Sequence, residues 1–292
     1  MEYHQMRSTG ERVIPAEYRH DVHKFLIFLM HMRSYAHAMT IVRGKRVLDF
    51  GCGTGYGANM LAGQVEDVSA IDISEEAISD ATKSYSASNL HFLRTEPTEN
   101  RALPFLDSSF DDVISFQVIE HVDDVDSYLK EIRRVLKPSG RLLLTTPNSS
   151  LRLLPGQKPW NRFHIREYTY STIKHTLQKE FSFVEVEGIT AIGPWLDMEK
   201  SRVNRIKWLT LPFTNFLVPD IVRRRVLEIL WSRFAERETS VSRHGEDRPF
   251  PKDEDVFITS SAVDRCLKFF AVCSSEPMDG GLAPRFSSPG RR

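Results

Sequence analysis

The sequence predicts an α/β fold in which a doubly wound, mostly parallel sheet is covered by helices. Two observations predict it. Apolar runs of five to nine residues recur along the chain, and amphipathic segments of helical period separate them. A glycine-rich loop follows directly after the first of these runs, as is typical of a strand that turns into a helix at the edge of a parallel sheet. Alternation of this kind implies right-handed crossovers between parallel strands.

Each element is assigned from an apolar run or a helix cap. Residues 20–42 predict a helix because they are rich in Leu, Met, Phe and Ala and lack Gly and Pro. Ser74 predicts the start of a helix over 74–85, with Glu75 and Glu76 in its first turn, where the helix dipole favours them. Further helices are predicted from the glycine loop to about residue 62, over 123–136 and over 167–181, and strands over 46–50, 67–72, 90–94, 111–116, 141–146, 183–189 and 265–273.

Composition limits the class of protein. The 292 residues carry 39 basic and 39 acidic side chains, so the zero net charge gives no reason to expect a nucleic-acid partner. Three cysteines are too few for a disulfide framework, and the N-terminus has no apolar signal core. We therefore expect a cytoplasmic protein, with contact to the inner membrane as an additional hypothesis.

The chain divides into five predicted regions. A Pro-, Gly- and Ser-rich composition predicts disorder at the C-terminus. The regions are an N-terminal helical cap (1–44), a core (45–190), an inserted helical region (191–255), a closing strand of the core (256–273) and a disordered tail (274–292).

The inserted region is basic and aromatic. From Glu199 to Arg243 it holds ten Lys or Arg against five Asp or Glu. Three interpretations stay open: a substrate lid, a homodimer surface, or peripheral membrane contact through 203–231. Pro212 and Pro219 interrupt the helical period and weaken the membrane interpretation.

The loop that follows strand 46–50 carries glycines at alternate positions from Gly51 to Gly57. From Gly53 it also matches the dinucleotide pattern G-x-G-x-x-A, which places a helix N-terminus against a pyrophosphate. Asp49, at the strand tip, suits a ligand that bears an ammonium group and would repel a pyrophosphate. Asp72 ends the second strand, at the interval where an acidic residue meets ribose hydroxyls. This context favours S-adenosylmethionine (SAM) over a dinucleotide.

The order of several motifs resembles the class I SAM-dependent methyltransferases. Residues 47–55 reproduce the first motif, V-L-D-x-G-C-G-T-G, and AIDIS at 70–74 looks like the ribose-binding motif. LPFLDSSFDDVISFQVIEHV at 103–122 and RVLKPSGRLLLTTPN at 134–148 resemble the later motifs. The resemblance is to methyltransferases of types 11 and 23, including bacterial O-methyltransferases of glycans and small molecules.

The resemblance implies a Rossmann-like sheet of about seven strands, with the last strand antiparallel, and SAM as cofactor. Ser139 replaces a usual glycine in a turn, and Glu96 stands where the family has Asp near the adenine. The residues that the resemblance assigns to SAM are Asp49, Gly51, Cys52, Gly53, Gly55, Asp72, Ile73, Glu96 and Gln117.

Sequence motifs identify the residues near the methyl acceptor less clearly than those near SAM. Residues 115–118 lack the N/D-P-P-Y/F motif of amino-methyltransferases, which argues against methylation of adenine or cytosine nitrogens. Glu120 and His121 lie near the active site in similar O-methyltransferases, and His121 is either a base or a structural histidine. Quinone-type relatives carry an acidic residue three positions before this pair. Here that residue is Gln117, and we expect no metal site on that pattern.

Two further segments point to the acceptor. Residues 160–168 place His164 three positions before Glu167, and Arg166 between them suits an anionic group. This segment is either a substrate rim or a helix-capping cluster. Residues 8–15, S-T-G-E-R-V-I-P, resemble the N-terminal cap of methyltransferases linked to surface glycans and glycolipids.

The functional hypothesis is methyl transfer from SAM to a hydroxyl of a small molecule, sugar or glycolipid. Its candidate catalytic residues are Glu120, His121 and His164, one of the histidines acting as base. C- or N-methylation of a lipid, quinone or amino sugar stays open. An NAD-dependent oxidoreductase and a SAM-binding scaffold without activity are the alternatives from other classes.

Overall fold

The computed structural model describes residues 21–42, 45–95, 102–241 and 250–277, with the backbone alone for 231–241. The motif at 8–15, Glu96 and the end of the predicted tail (278–292) lie outside the described residues.

The described elements follow the predicted alternation. The helices are α1 (Val22–Ile41), α2 (Tyr56–Ala62), α3 (Glu75–Ser84), α4 (Val125–Val135), α5 (Ser149–Arg152), α6 (Tyr170–Leu177), α7 (Gly193–Thr214) and α8 (Asp220–Val241). The strands are β1 (Arg46–Phe50), β2 (Asp67–Asp72), β3 (Leu90–Arg94), β4 (Phe110–Phe116), β5 (Leu136–Pro147), β6 (Phe183–Ala191), β7 (Val256–Thr259) and β8 (Lys268–Ser274).

The strands form one mixed sheet in the order β3-β2-β1-β4-β5-β8-β6-β7. Strands β1 to β5 pair in parallel, β8 runs antiparallel to both β5 and β6, and β7 runs antiparallel to β6. The strand order reverses between β1 and β4, and a crevice at the carboxyl ends of these strands is the usual ligand site of such a sheet. The predicted doubly wound α/β fold with an antiparallel last strand is confirmed.

The sheet has eight strands among the described residues, one more than the predicted seven or so. The segment 256–273, predicted as a single closing strand, contains two strands among the described residues, β7 and β8. Strand β7 has four residues and follows a short acidic 3-10 turn, Asp253–Asp255. A run this short carries too few alternations for a strand to be recognised.

Both faces of the sheet are buried. Along β8, Phe269, Ala271 and Cys273 face one core while Phe270 and Val272 face the other. Helices α4 and α6 supply side chains to the first core, and α1 and α2 supply them to the second. The result is a three-layer arrangement in which the glycine loop lies between the sheet edge and α1.

Helices α7 and α8 make up the inserted helical region, which is confirmed as helical. Helix α7 contacts α5, α8 and β6. Within the described part of the chain, no helix has both the length and the apolar content needed to cross a bilayer.

Replacing Phe270 by Ala is expected to lower the free energy of unfolding by about 3–5 kcal/mol, since its ring is fully buried between α1 and the sheet. Equilibrium denaturation in urea measures the change. Phe257→Ala is the matched control, because that ring is 38% exposed on β7, and it should cost less than half as much. Equal losses would contradict the assignment of Phe270 to the core.

Candidate active site

The glycine loop makes a sharp turn at the carboxyl end of β1. Gly51 and Gly53 have φ angles of +84° and +53°, in the left-handed region that favours glycine. A Cβ on Gly51 would overlap the side chain of Val118, whereas a Cβ on Gly53 would meet nothing within 4 Å. The loop therefore packs tightly at Gly51 and leaves open space beside Gly53.

Asp72 joins the end of β2 to this loop. Its Oδ2 accepts a hydrogen bond from the Gly53 N–H at 3.0 Å, and its Oδ1 accepts one from the Ser74 N–H at 2.8 Å. Ser74 is the N-cap of α3, as predicted, and its side chain accepts from Ala77 N. The carboxylate of Asp72 thus links the end of β2 to the glycine loop that follows β1, beside the open space at Gly53. Ile73 is the next residue in the chain.

Asp49 is fully buried at the end of β1, and both of its oxygens lie 3.2 Å from the hydroxyl of Tyr35. The pKa of Asp49 is raised to about 7, because burial raises it most, the Tyr35 hydrogen bond lowers it, and the charge of Asp72 raises it. Much of the charge predicted at this position is therefore neutralised when no cation is bound.

Tyr35 comes from α1 and was missed as a site residue. Its ring packs against Gly57, where a Cβ would overlap it, and lies 4.9 Å from the ring of Phe116. Gly57 was visible in the sequence as part of the loop. The contact joins residues more than twenty positions apart, and no local pattern indicates it.

Gln117 and Cys52 complete the loop environment. Gln117 follows β4 with φ +56°, and its Nε2 donates to Thr145 Oγ1 at 3.1 Å. Cys52 is buried, and burial raises the pKa of its thiol well above the ordinary value, so the thiol stays protonated. Gly55 is the N-cap of α2. The assignment of these residues to SAM stays a prediction.

The segment 160–168 docks against the turn that follows β4. The Ile165 N–H donates to the Glu120 carbonyl at 2.9 Å, and Arg166 Nη2 donates to the Asp123 carbonyl at 2.6 Å. This docking brings the ring of His164 to within 4.9 Å of the His121 ring. Arg166 thus anchors the segment through one nitrogen of its guanidinium, and its predicted role in holding an anionic group stays a prediction.

His164 belongs to a buried chain of polar groups. Its Nδ1 lies 2.7 Å from Glu167 Oε1, and Arg152 Nε donates to Glu167 Oε2 at 2.8 Å. Burial opposes the charge on Glu167, but Arg152 and His164 outweigh it and lower its pKa to about 2. Glu167 lies before α6, whose N-cap is Thr169. The predicted helix over 167–181 therefore starts too early, and Glu167 is not a first-turn residue.

Glu120, His121 and His164 form one cluster where the segment 160–168 meets the turn after β4. Each offers one ligand atom, and the three atoms lie within 4.8 Å of one another. Glu120 is fully buried; its Oε2 accepts from Thr146 Oγ1 at 3.0 Å, and within the described part of the chain its Oε1 has no hydrogen-bond partner. The three predicted catalytic residues thus lie together, and one oxygen of Glu120 has unused capacity to accept a hydrogen bond or to bind a cation.

Asp49→Asn is expected to stabilise the cofactor-free protein at pH 8 by on the order of 3 kcal/mol. The folded pKa of about 7 lies above the ordinary 3.8, so folding favours the protonated acid. In the wild type, the contribution of protonated Asp49 to the free energy of unfolding is fully present below about pH 4 and is lost as the pH rises through 7. Thermal unfolding of both proteins at pH 5 and pH 8 measures the effect. A stability difference that does not grow with pH would contradict the raised pKa.

Residues 48–144 match the family model described as a methyltransferase domain. Over 179 residues the chain is 35% identical to a probable SAM-dependent methyltransferase of Mycobacterium tuberculosis. That match spans 61% of this chain and 61% of the relative's length. A fatty-acid O-methyltransferase of Mycolicibacterium smegmatis is 31% identical over 134 residues, which are 45% of this chain and 47% of that protein.

The fold is also similar to that of a solved structure. A SAM-dependent methyltransferase of Thermotoga maritima superposes with a TM-score of 0.51 at 15% identity, covering 90% of this chain and 96% of that one. Together with the strand order and the geometry of the loop, these similarities place the domain that contains residues 48–144 in the class I SAM-dependent methyltransferases.

Proposed function

We propose that the chain transfers a methyl group from SAM to a hydroxyl group of a small molecule, sugar or glycolipid. The observation that carries the proposal is the loop at the switch point of the sheet, with open space beside Gly53 and the carboxylates of Asp49 and Asp72 close by. SAM is a cation at its ammonium and sulfonium groups, and two carboxylates favour such a ligand. A pyrophosphate would be repelled, which argues against the nicotinamide alternative.

The two carboxylates suit different parts of SAM. Asp72 accepts two backbone N–H groups and retains lone pairs on both oxygens, which can accept from ribose hydroxyls. Asp49 is buried beneath Tyr35, and a nearby ammonium would lower its pKa from about 7. Binding of the cation would therefore release a proton from Asp49 near neutral pH.

Methyl transfer to a hydroxyl is a single displacement. The acceptor oxygen bonds to the methyl carbon, the carbon–sulfur bond breaks with its electrons on sulfur, and S-adenosylhomocysteine leaves. The hydroxyl proton must leave as well, and a positioned polar group speeds this step. Glu120, His121 and His164 are the groups that assist its departure. A carbon or nitrogen acceptor has less need of such a cluster, and analysis of the product from labelled SAM distinguishes the acceptor atoms.

The turn between α7 and α8 suggests that the acceptor is a lipid or glycolipid. In residues 208–222, which we call the α7–α8 tip, Phe216 is 70% exposed, Leu217 75% and Ile221 77%. Arg224 and Arg225 are exposed on the next turn of α8. Contiguous exposed apolar side chains beside arginines fit an anionic lipid surface. A relative that is named a fatty-acid O-methyltransferase agrees with an acceptor of this class.

The α7–α8 tip is joined to the candidate catalytic cluster. Gln157 Nε2 donates to Thr214 Oγ1 at 2.8 Å, and the Lys158 N–H donates to the Thr214 carbonyl at 2.6 Å. Arg223 is buried and donates to the Pro159 carbonyl. The segment anchored in this way continues directly to His164, so a lipid held at the tip would lie beside the chain that carries the acceptor site.

Isothermal titration is expected to detect binding of SAM and no binding of NAD. Asp72→Ala should weaken SAM binding at least about tenfold, or about 1.4 kcal/mol, because the loop loses its carboxylate bridge. Asp80→Ala removes the same charge from an exposed position on α3 and should leave the affinity unchanged. Absence of SAM binding by the wild-type protein would refute the proposed function.

The triple substitution of Phe216, Leu217 and Ile221 by Ser is expected to reduce binding to phosphatidylglycerol vesicles at least about tenfold. Co-sedimentation measures it, and added salt should weaken wild-type binding through Arg224 and Arg225. Leu106→Ser is the control, because Leu106 is 82% exposed on a different loop. Equal binding by the triple variant, or a stable dimer that buries the tip in light-scattering measurements, would overturn the lipid interpretation.

A further inference from the structure

Glu120, His121 and His164 have the composition of a metal site. Two imidazoles and one carboxylate come from the turn after β4 and from the docked segment 160–168, with their ligand atoms within 4.8 Å of one another. Glu120 is fully buried and His164 is 4% exposed. Two histidines and one carboxylate form a ligand set that divalent transition metals use in proteins, with positions left open for substrate.

One atom of this cluster is buried and unsatisfied. Glu120 Oε1 has no hydrogen-bond partner among the described residues, while Oε2 accepts from Thr146. A buried carboxylate oxygen without a donor is costly, and most such atoms in native proteins have a partner. A bound cation would satisfy Oε1, and the Thr146 hydroxyl would hold the carboxylate in place.

Both histidines are oriented through their Nδ1 atoms. His164 Nδ1 faces the carboxylate of Glu167 at 2.7 Å, and His121 Nδ1 faces the Phe163 carbonyl at 3.2 Å. Carboxylate and carbonyl oxygens only accept, so each Nδ1 donates, and a neutral ring held in this way would have its lone pair on Nε2. Metal-binding histidines in proteins are usually held in this way, by a carboxylate or a backbone carbonyl.

The local charge also suits a dication. Glu167 is paired with Arg152 at 2.8 Å, so these two charges largely cancel. Glu120 then supplies the one carboxylate of the cluster that has no cationic side chain paired with it among the described residues. Around a tetrahedral Zn²⁺ with bonds of about 2.0–2.1 Å, ligand atoms lie about 3.4 Å apart. The ligand atoms, which lie within 4.8 Å of one another, would therefore have to approach by up to about 1.4 Å.

We propose that Glu120, His121 and His164 bind one divalent transition-metal ion, Zn²⁺ or Mn²⁺, at the acceptor side of the site. A metal-bound hydroxyl gives up its proton more readily than a free one. The proposal thus rests on the proposed function for its chemical purpose and assigns the handling of the hydroxyl proton to the ion. It also reverses the expectation drawn from Gln117, because His164 supplies the third ligand.

Metal binding is tested directly on the full-length protein. After treatment with EDTA and buffer exchange, titration with ZnCl₂ and MnCl₂ is followed by calorimetry, and bound metal is counted by mass spectrometry. About one equivalent is expected for at least one of the two ions, together with a rise in melting temperature, because the ion binds the folded state. Visible absorption of the Co²⁺-loaded protein reports nitrogen ligation independently of activity.

Single variants locate the ion. Glu120→Gln, His121→Ala and His164→Ala are each expected to weaken metal affinity at least about tenfold. Circular dichroism verifies folding, and Glu120→Gln keeps the size of a fully buried side chain. The matched control is His37→Ala, since His37 is also paired with a carboxylate, Glu187, at 2.8 Å but belongs to α1. It should bind metal like the wild type.

The outcomes separate this proposal from the proposed function. If the metal-free protein binds SAM and takes up no ion, or if His37→Ala loses as much affinity as His164→Ala, the metal site is refuted and the methyltransferase proposal stands. If the ion binds at the three residues and SAM does not bind, the site stands and the proposed function is refuted.

Discussion

Burial of three carboxylates at the carboxyl edge of the sheet is the constraint on which the site depends. Asp49, Glu120 and Glu167 are each inaccessible to solvent. A buried carboxylate is tolerated only with compensating donors, and here the donors come from α1, β5 and α5. Segments that are distant in the chain are thereby fixed around one crevice, in addition to the apolar contacts that pack the layers.

The three carboxylates are compensated to different degrees, and this difference suggests their roles. Glu167 has a cationic partner and a low pKa, so it acts as a fixed negative charge that orients His164. Among the described residues the side chain of Asp49 has a phenol as its hydrogen-bond partner, and its pKa is near 7, so its charge depends on what binds nearby. Glu120 is satisfied at one oxygen only. The groups that remain incompletely satisfied face the proposed cofactor and acceptor, as is common at functional sites.

Local sequence patterns were sufficient for much of the fold. Strands 46–50, 67–72 and 90–94 have the predicted bounds, and Ser74 caps α3 as predicted, because apolar runs and caps are encoded by neighbouring residues. Strand β7 was missed because it is short and pairs only at the sheet edge. Its existence depends on β6, which lies more than sixty residues earlier in the chain.

The candidate site, like the fold, could be predicted from the sequence only where local motifs determine it. The glycine loop and its two aspartates follow local motifs, and the structure brings them together. The pairing of His121 with His164, and the cover that Tyr35 gives Asp49, arise from contacts between distant segments. The sequence named both histidines as candidates without a reason to expect that they meet. Backbone bonds from Ile165 and Arg166 to Glu120 supply that reason.

The Tyr35 contact has a consequence for where this catalytic unit begins. The family match starts at residue 48, yet the phenol that shields Asp49, and the ring that closes over Gly57, lie upstream of that boundary. A fragment trimmed to the matched segment would keep every glycine of the loop and lose Tyr35, which covers Asp49 and Gly57. Water would then reach Asp49, and the pKa that burial raises to about 7 would fall toward that of an ordinary aspartate.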